Sequence, residues 1–413
     1  MRSNYKLLGD YIQEVNVRNT ELKDLELLGI SIQKEFIPSI ANTIGTDMSK
    51  YKIVKKNQFA YGTVTSRNGD KISIALLQNH EEALISQAYI SFEVINENKL
   101  LPEYLMMWFR RSEFDRYARY MSYGSAREVF SWEEMCNVRL PIPSIEKQRE
   151  IVKEYNTILD RIKLNENIIE KLEDTVESIY KQWFVEFEFP DLENKAYKSN
   201  DGELQYNYEI DKYIPIDFNV GNLESLVFII DGDRGKNYPS KEEMYDEGFC
   251  LFLNAGNVTN KGFKFTDKSF ISEEKDNLLR KGKLDRNDVV VTSRGTVGNV
   301  GYYSDIVPFE NIRINSGMVI LRAEKYKEYG IFTYMLLRSK YMKNTIESYL
   351  SGSAQPQLPI KDLVKIPIII PSHQTIIQFA KIATIYQNHI DLKKVENENL
   401  LILKDLVLKK MSK

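Results

Sequence analysis

Two short polar segments carry residue types suited to reading a nucleic-acid surface. Thr65-Ser66-Arg67-Asn68-Gly69 and Thr292-Ser293-Arg294-Gly295-Thr296 each combine a guanidinium with hydroxyls and a glycine, and each follows a β-type run. Arginine can bond a guanine edge bidentately, asparagine can do the same for adenine, and Ser or Thr hydroxyls reach bases or phosphates. The plainer reading of such a segment is a polar turn whose glycine supplies positive φ. A third region, Arg110-Arg111, Arg116-Tyr117, Arg119-Tyr120, Tyr123 and Arg127, interleaves cations with aromatics. It suits a nucleic-acid backbone, or simply an amphipathic helix with Leu105, Trp108 and Phe109 turned inward. The candidate DNA-binding residues are therefore Thr65, Ser66, Arg67, Asn68, Ser293, Arg294 and Thr296, together with Arg127 and Arg313.

Catalytic chemistry finds little support. Gly232-Asp233-Arg234-Gly235-Lys236-Asn237 has neither the spacing nor the hydroxyl of a nucleotide phosphate loop, and Gly295-Thr296-Val297-Gly298-Asn299-Val300-Gly301 does not match Gly-x-Gly-x-x-Gly. No Asn/Asp-Pro-Pro-aromatic element of an amino-methyltransferase occurs. Pro190-Asp191 followed by Glu193 and Lys195 resembles a nuclease's acidic-acidic-lysine set, but it lies in a linker with the acids two residues apart. Three histidines (His80, His373, His389) and two cysteines (Cys136, Cys250) cannot build a usual four-ligand zinc finger. No catalytic residue and no metal ligand is expected.

These segments need elements to carry them. Tyr51–Val54, Gln58–Tyr61, Lys71–Leu76 and Tyr89–Val94 alternate as strands do, and so do Asp288–Val291, Gly298–Tyr303 and Gly317–Leu321. A helical pattern follows each set, at Pro102–Tyr120 and Tyr329–Tyr349. The fold class is α+β, and the chain repeats itself. Gly124-Ser125-Ala126 recurs as Gly352-Ser353-Ala354 and Pro143-Ser144 as Pro371-Ser372, both at an offset of 228. Thr65-Ser66-Arg67 recurs as Thr292-Ser293-Arg294 at 227, so the two segments are expected at equivalent points of the halves.

Beyond Pro143 a heptad seam begins. Ile151, Tyr155, Ile158, Ile162, Asn165, Ile169, Leu172, Val176, Ile179 and Trp183 alternate steps of four and three, which keeps one stripe facing a partner helix. As one helix, residues 147–183 would span ~55 Å at 1.5 Å per residue. The second copy reads Ile382, Ile385, His389, Leu392, Val395, Asn399, Ile402 and Leu406. Such a narrow stripe should pack on its own duplicate. Asn165 and Asn399 occupy seam positions, where a polar residue costs stability but can fix register. His389 is read as a tolerated seam residue. The expected organisation is a globular region over 1–143, a spacer helix over 144–189, an acidic linker plus a second globular region over 190–371, and a second helix over 372–413.

The 413 residues, 43% hydrophobic and 28% charged, suffice for two or three domains with real cores. No run approaches the ~20 apolar residues of a membrane helix, and Met1-Arg2-Ser3-Asn4 turns polar too soon for a signal peptide. Two cysteines in distant parts of the chain fit a reducing cytoplasm. The net charge of −3 hides a segregation: residues 146–217 hold 18 acidic and 10 basic residues, leaving +5 elsewhere, so a phosphate-binding face is permitted.

Taken together, the sequence resembles the specificity subunit of type I restriction-modification enzymes. The resemblance rests on Leu140-Pro141-Ile142-Pro143-Ser144-Ile145-Glu146-Lys147-Gln148-Arg149-Glu150-Ile151-Val152, on Trp183-Phe184-Val185-Glu186-Phe187-Glu188-Phe189-Pro190, and on Gly352-Ser353-Ala354-Gln355-Pro356-Gln357-Leu358. It covers nearly the whole chain. Two departures stand out: Arg127 replaces a Gln in the first copy of the last motif, and Ile376 stands where Gln148 maps. The resemblance implies two similar target recognition domains separated by a pair of long antiparallel coiled-coil helices. Each domain would read half of a split double-stranded DNA sequence. Two modification subunits, which bind S-adenosylmethionine, and restriction subunits, which use ATP and Mg, would assemble around the chain and carry the catalysis. This chain itself would hold no cofactor. Two other readings are an autonomous nuclease or methyltransferase with an unrecognised site, and a coiled-coil adaptor without DNA contact.

Overall fold

A computed structural model describes residues 5–41, 45–66, 68–123, 128–350 and 357–411. Arg67, Arg127, Gly124-Ser125-Ala126 and Gly352 to Pro356 lie outside the described residues. Among the described residues the α-helices are α1 (Pro102–Phe109), α2 (Ser112–Tyr120), α3 (Trp132–Cys136), α4 (Ile145–Phe184), α5 (Glu273–Leu278), α6 (Glu328–Arg338), α7 (Lys340–Leu350), α8 (Ile360–Leu363) and α9 (His373–Lys410). The chain forms two compact units, residues 1–163 with 398–413, and residues 164–397.

In the first unit an antiparallel sheet orders Ile12–Val15, Tyr89–Val94, Phe59–Gly62 and Ile74–Leu76. The alternation along Phe59-Ala60-Tyr61 explains its two faces. Phe59 and Tyr61 enter a core with Phe92, Phe109, Phe114 and Phe130, whereas Ala60 faces a second core with Leu28, Val54 and Ile85. That second core belongs to a five-stranded sheet in which Leu27–Ile30 runs parallel to Glu82–Ile85. Helices α1 and α2 cover the aromatic face, with Phe59 stacked on Phe92 at 4.8 Å and Phe109 edge-on to Phe59 at 5.8 Å.

The second unit repeats the sheet: Phe228–Asp231, Met318–Arg322, Val289–Thr292, Val300–Tyr302. Val289 and Val291 point into one core and Val290 into another, the same division by alternation. Each unit also has a two-stranded ribbon just before its long helix, Tyr5–Leu7 with Arg139–Pro141 and Asn219–Gly221 with Ile368–Ile370.

The helical patterns that read as continuous are each broken in two. Arg111 is extended (ψ 140°) between α1 and α2, with its guanidinium over the Trp108 ring at 4.3 Å. The corner turns Phe114 back onto Phe109 at 4.7 Å. Ser339 (ψ 153°) makes the corresponding break, and its hydroxyl accepts the Met342 N–H at 3.3 Å, capping α7.

The duplication holds, but its register at the polar segments differs from the expected one. Phe130 N–H donates to Thr63 O as Leu358 N–H does to Ser293 O, and the bridge Val64–Val129 matches Arg294–Gln357. Thr63 is thus the counterpart of Ser293, and Val64, rather than Arg67, that of Arg294. The reason is loop length. Gly62 N–H bonds Ser73 O across ten residues, 63–72, whereas Thr292 N–H bonds Asn299 O across six, 293–298.

Helix α4 is unbroken from Ile145 to Phe184 and contains no Gly or Pro. In the first unit Tyr155 and Ile158 pack with Val407 and Leu408 at the C-terminal end of α9 and with Met411 just after it, with Ile151 and Ile162 half-buried. In the second unit Val176, Tyr180, Trp183 and Phe184 pack with Ile376, Phe379, Ala380 and Ala383 at the start of α9, beside a half-buried Ile179. Each contact is antiparallel. Ile169 and Leu172 are half-buried between these ends.

The seam expected on α9 needs correction. Leu392 (50% exposed), Asn399 and Ile402 (61% exposed) face outward, and Val395 is half-buried. In the middle of α9 the inward positions are more polar: Gln387, Ile390, Asp391 and Asn397. Each polar member is tied by a hydrogen bond. Asn165 Nδ2 donates to Asn397 Oδ1 at 2.9 Å, so its partner is Asn397 and not Asn399. Asp391 accepts from Ser304 Oγ at 2.6 Å and from Gln387 Nε2 at 2.9 Å. Burial holds this carboxyl above its ordinary value. The apolar stripe Ile385, Leu392 in the second unit, and Ile402, Leu403, Leu406 in the first, is left to solvent.

Gln148 joins the first unit's sheet-and-helix body to α4. Its Oε1 accepts the N–H of Leu101, just before α1, while Nε2 donates to Lys99 O and Pro143 O, all at 2.9 Å. Ile376 fills the matching place apolarly among Phe332 and Phe379. There the tie passes instead to His373, whose Nδ1 meets Tyr329 Oη at 3.1 Å while its ring lies 4.0 Å from that of Tyr326. Removing the buried Gln148 amide takes their partner from three backbone groups, those of Leu101, Lys99 and Pro143. Gln148→Ala is expected to lower stability by about 2–4 kcal/mol in denaturant unfolding; an unchanged midpoint would show the joint to be wet or dispensable.

Candidate nucleic-acid interface

In the first unit the loop after Phe59–Gly62 is shaped by its own polar residues. Thr65 is buried, with its N–H and hydroxyl both on Glu128 O at 3.0 and 3.3 Å. Asn68 Nδ2 donates to Val64 O at 3.3 Å, and its N–H to Thr65 O at 3.0 Å. Both side chains are spent on the turn. Ser66 is exposed at its crest, next to position 67. Arg119, at the end of α2, pins the loop from outside: Nη1 donates to Gly69 O at 3.1 Å, and the guanidinium pairs with Glu128 at 3.3 Å. Arg116, Tyr120 and Tyr123 on the same stretch are exposed. Arg111, by contrast, is buried against Trp108. The inward set Leu105, Trp108 and Phe109 is buried as an amphipathic helix requires.

The second loop is tighter. Thr292 and Ser293 are buried and bonded internally, Thr292 Oγ1 to Thr296 O and Ser293 Oγ to Gly317 O at 3.0 Å. Gly295 and Gly298 take positive φ, and a Cβ on Gly298 would also crowd Ile346 at 3.2 Å. Arg294 and Thr296 are exposed on this frame. Thr296 Oγ1 donates to Ala255 O at 3.3 Å. The Arg294 guanidinium has no hydrogen-bond or ion-pair partner among the described residues. A rigid backbone presenting one unspent, always-charged fork is what base or phosphate recognition requires.

Arg313 does not belong with these residues. It is 5% exposed, and its donors are consumed inside: Nε by the Asp276 carboxylate, Nη1 by Lys281 O at 2.7 Å, and Nη2 by Asp276 O and Leu279 O. Burial alone would push Asp276 up, but Lys283 and Arg313 together hold its carboxyl below the ordinary value. Arg313 is a structural tie between a core strand and α5.

The other chemistry-bearing groups are placed just as inertly. Asp191 Oδ1 accepts the N–H groups of Glu193 and Lys195 at 2.8 and 2.9 Å, closing a turn, and Glu193 pairs with Lys195. Both cysteines are free; burial pushes the Cys250 thiol up to about 12 and also raises that of Cys136. Among the described residues no group of three or more His, Cys, Asp or Glu side chains could hold a metal ion, and no helix is long and apolar enough to cross a membrane.

The two arginines predict opposite phenotypes. Arg313→Ala removes one of the two cations on the buried Asp276 carboxylate and the donor to three backbone carbonyls, and should cost about 3–5 kcal/mol in urea unfolding, whereas Arg294→Ala should stay within about 0.5 kcal/mol of the parent. Equal losses would mean that Arg294 has a structural duty unseen in the described residues.

The chain matches the type I restriction modification DNA specificity domain twice, over residues 19–174 and 215–401. It is 25% identical over 288 residues to the type I restriction enzyme MjaIX specificity subunit of Methanocaldococcus jannaschii, covering 69% of this chain and 62% of that one. With the HindI specificity subunit of Haemophilus influenzae it shares 24% identity over 409 residues, 87% of this chain and 86% of the relative. The crystal structure of the S subunit of the M. genitalium type I restriction-modification system superposes with a TM-score of 0.57 at 16% identity, covering 98% and 95% of the two chains. With both of its globular regions matched by the same domain, the chain belongs to the type I restriction modification DNA specificity family.

Proposed function

We propose that this chain is the sequence-reading subunit of a type I restriction-modification complex, with each unit reading one half of a bipartite double-stranded DNA target. The observation that carries the reading is the repeated frame: the same four-stranded sheet and helix pair occurs twice, and each copy puts polar, arginine-bearing loops at the end of its central strand. Candidate contacts are Ser66, Arg67 and Arg127 in the first half and Arg294 and Thr296 in the second. Thr65, Asn68 and Ser293 serve by shaping the loops. The paired segments of α4 and α9 act as the spacer between the halves. The proposed domain limits are 1–143 and 190–371 for the readers, with 144–189 and 372–413 as the spacer helices.

Two modification subunits and the restriction subunits are proposed partners, and S-adenosylmethionine, ATP and Mg belong with them rather than with this chain. Support for docking along α9 comes from its exposed stripe, Ile385 and Leu392 in one unit and Ile402, Leu403 and Leu406 in the other. Apolar residues repeated along one exposed helix face mark a surface that another protein covers. The proposed compartment is the cytoplasm, where DNA and these partners meet.

Methylome mapping of cells with and without the chain tests the reading. A bipartite adenine-methylated motif should appear only when the chain is present; no motif, or a continuous one, would overturn it. Inserting one heptad into both α4 and α9 lengthens each helix by ~10 Å, and the mapped gap should grow by a few base pairs at ~3.4 Å per pair. An unchanged gap would remove the spacer role. Leu392→Glu with Ile402→Glu should abolish co-purification with modification subunits while leaving the helical circular dichroism unchanged; retained co-purification would exclude the stripe as the docking face.

A further inference from the structure

The segment Asp231-Gly232-Asp233-Arg234-Gly235-Lys236 fails as a nucleotide loop, yet it has a definite form in the second unit. Asp233 Oδ1 accepts the N–H of Gly235 at 2.7 Å and Oδ2 that of Arg280 at 2.8 Å. These backbone bonds hold its carboxyl below the ordinary value, so at neutral pH it is an anion spent on backbone. Two turns are thereby tied into one, and the side chains of Arg234, Lys236, Arg280 and Lys281 all project from it into solvent. Among the described residues Lys236, Arg280 and Lys281 have no ion-pair partner. Arg234 lies 3.7 Å from the half-exposed Asp231 carboxylate, a loose surface contact.

The tied turns sit against the arginine loop. Gly232 approaches the 315 carbonyl so closely that a Cβ would come within 2.2 Å of its oxygen, so only glycine seats the turn there. Arg234 Nη2 reaches Ser316 O at 3.5 Å. The next carbonyl, Gly317 O, accepts the N–H groups of Ser293 and Arg294 at 2.8 and 3.2 Å. Successive carbonyls of one turn therefore hold the basic pair of turns on one side and Arg294 on the other.

We infer that the joined turns 231–236 and 280–281 are a clamp for the DNA phosphate backbone, built beside Arg294 and independent of base sequence, with Asp233 as its positioning residue. The inference rests on the DNA-reading function proposed above. A polyanion fits better than a small nucleotide. The N–H groups of Gly235 and Arg280, which would cradle a terminal phosphate, are already taken by Asp233. What remains is a row of flexible cations, which neutralise a repeating charge without enclosing a single group.

The test uses the full chain assembled with its modification subunits, titrated by fluorescence anisotropy against duplexes carrying its mapped motif and against scrambled duplexes, over a salt series. Arg234→Ala with Arg280→Ala should weaken both duplexes by the same factor and make the slope of log K against log salt shallower by about 2. The matched-to-scrambled ratio should stay put, whereas Arg294→Ala should lower it. Asp233→Ala should reproduce the shallower slope with the ratio intact, and Asp233→Asn, which keeps a side-chain acceptor, should recover part of it. An unchanged slope, or a fall in the ratio in the Arg234/Arg280 double variant, would overturn the clamp. A parent complex with no preference for any duplex would instead sink the specificity reading, while the slope on scrambled DNA would still judge the clamp.

Discussion

A 40-residue helix with one narrow apolar stripe is marginal in water, because each buried side chain must offset the ordering of a whole turn of backbone. What sustains α4 is cover at both of its ends. At its start Tyr155 and Ile158 lie against Val407, Leu408 and Met411. At its end Tyr180, Trp183 and Phe184 meet Phe332 and Phe379, with Phe184 5.0 Å from both rings. Large apolar side chains contribute about 1.5–3 kcal/mol each on full burial, so a few at each end suffice to hold the last turns. The globular bodies and the long helices are therefore one energetic problem. Neither end of α4 is covered without the helices that also cover the sheets.

Between those ends the chain solves a different problem. The inward face of α9 carries Gln387, Asp391 and Asn397, and each is satisfied by a specific partner rather than by area. Such bonds contribute little net stability, but a shift of α9 would break the two that cross to other elements, Asn397 with Asn165 and Asp391 with Ser304, at about 1–3 kcal/mol apiece. Polar contacts in this position fix alignment. The apolar residues displaced from the inward face then form the outer stripe. One face of α9 is thus committed to its own chain while a second apolar face stays exposed.

Much of the fold can be read from the chain itself, because alternation and heptad spacing report burial directly. Phe59-Ala60-Tyr61 and Val289-Val290-Val291 sit where period-two patterning puts them, and the repeat in the sequence is a repeat in the sheet order. Four features escape such reading. The breaks at Arg111 and Ser339 carry no Gly or Pro, since they are set by a guanidinium on Trp108 and by a serine cap. The stripe Leu392, Asn399, Ile402 satisfies heptad arithmetic, but a helix with two apolar faces has two such solutions, and hydropathy ranks the outer one first. Arg313 has the right chemistry for DNA and the wrong burial, which residue type cannot disclose. In the arginine loop the apparent tripeptide repeat conceals a three-residue slip. Only the hydrogen bonds from Phe130 and Leu358 identify the true counterparts.

That slip shows how the repeated frame keeps its shape while its loops change. Strand register is fixed by both faces at once, for a one-residue shift would exchange Phe59 and Ala60 between two incompatible cores. Loop length is nearly free by comparison: closing ten residues rather than six costs only about 0.5 kcal/mol. The same economy applies at the helix junctions, where Gln148 and Ile376 occupy matched places, one polar and fully bonded, the other apolar and fully packed. Both solutions leave the frame intact because neither leaves a buried group unpaired or a hole unfilled. Divergence between the halves is thus cheapest in the loops that end the central strands, at the very positions where side chains are exposed and unspent. Arg294 stands there in one half, and Val64, with Ser66 beyond it, in the other. If these loops touch DNA, the two halves present different chemistry at equivalent points, and a single duplicated frame reads two unlike half-sites.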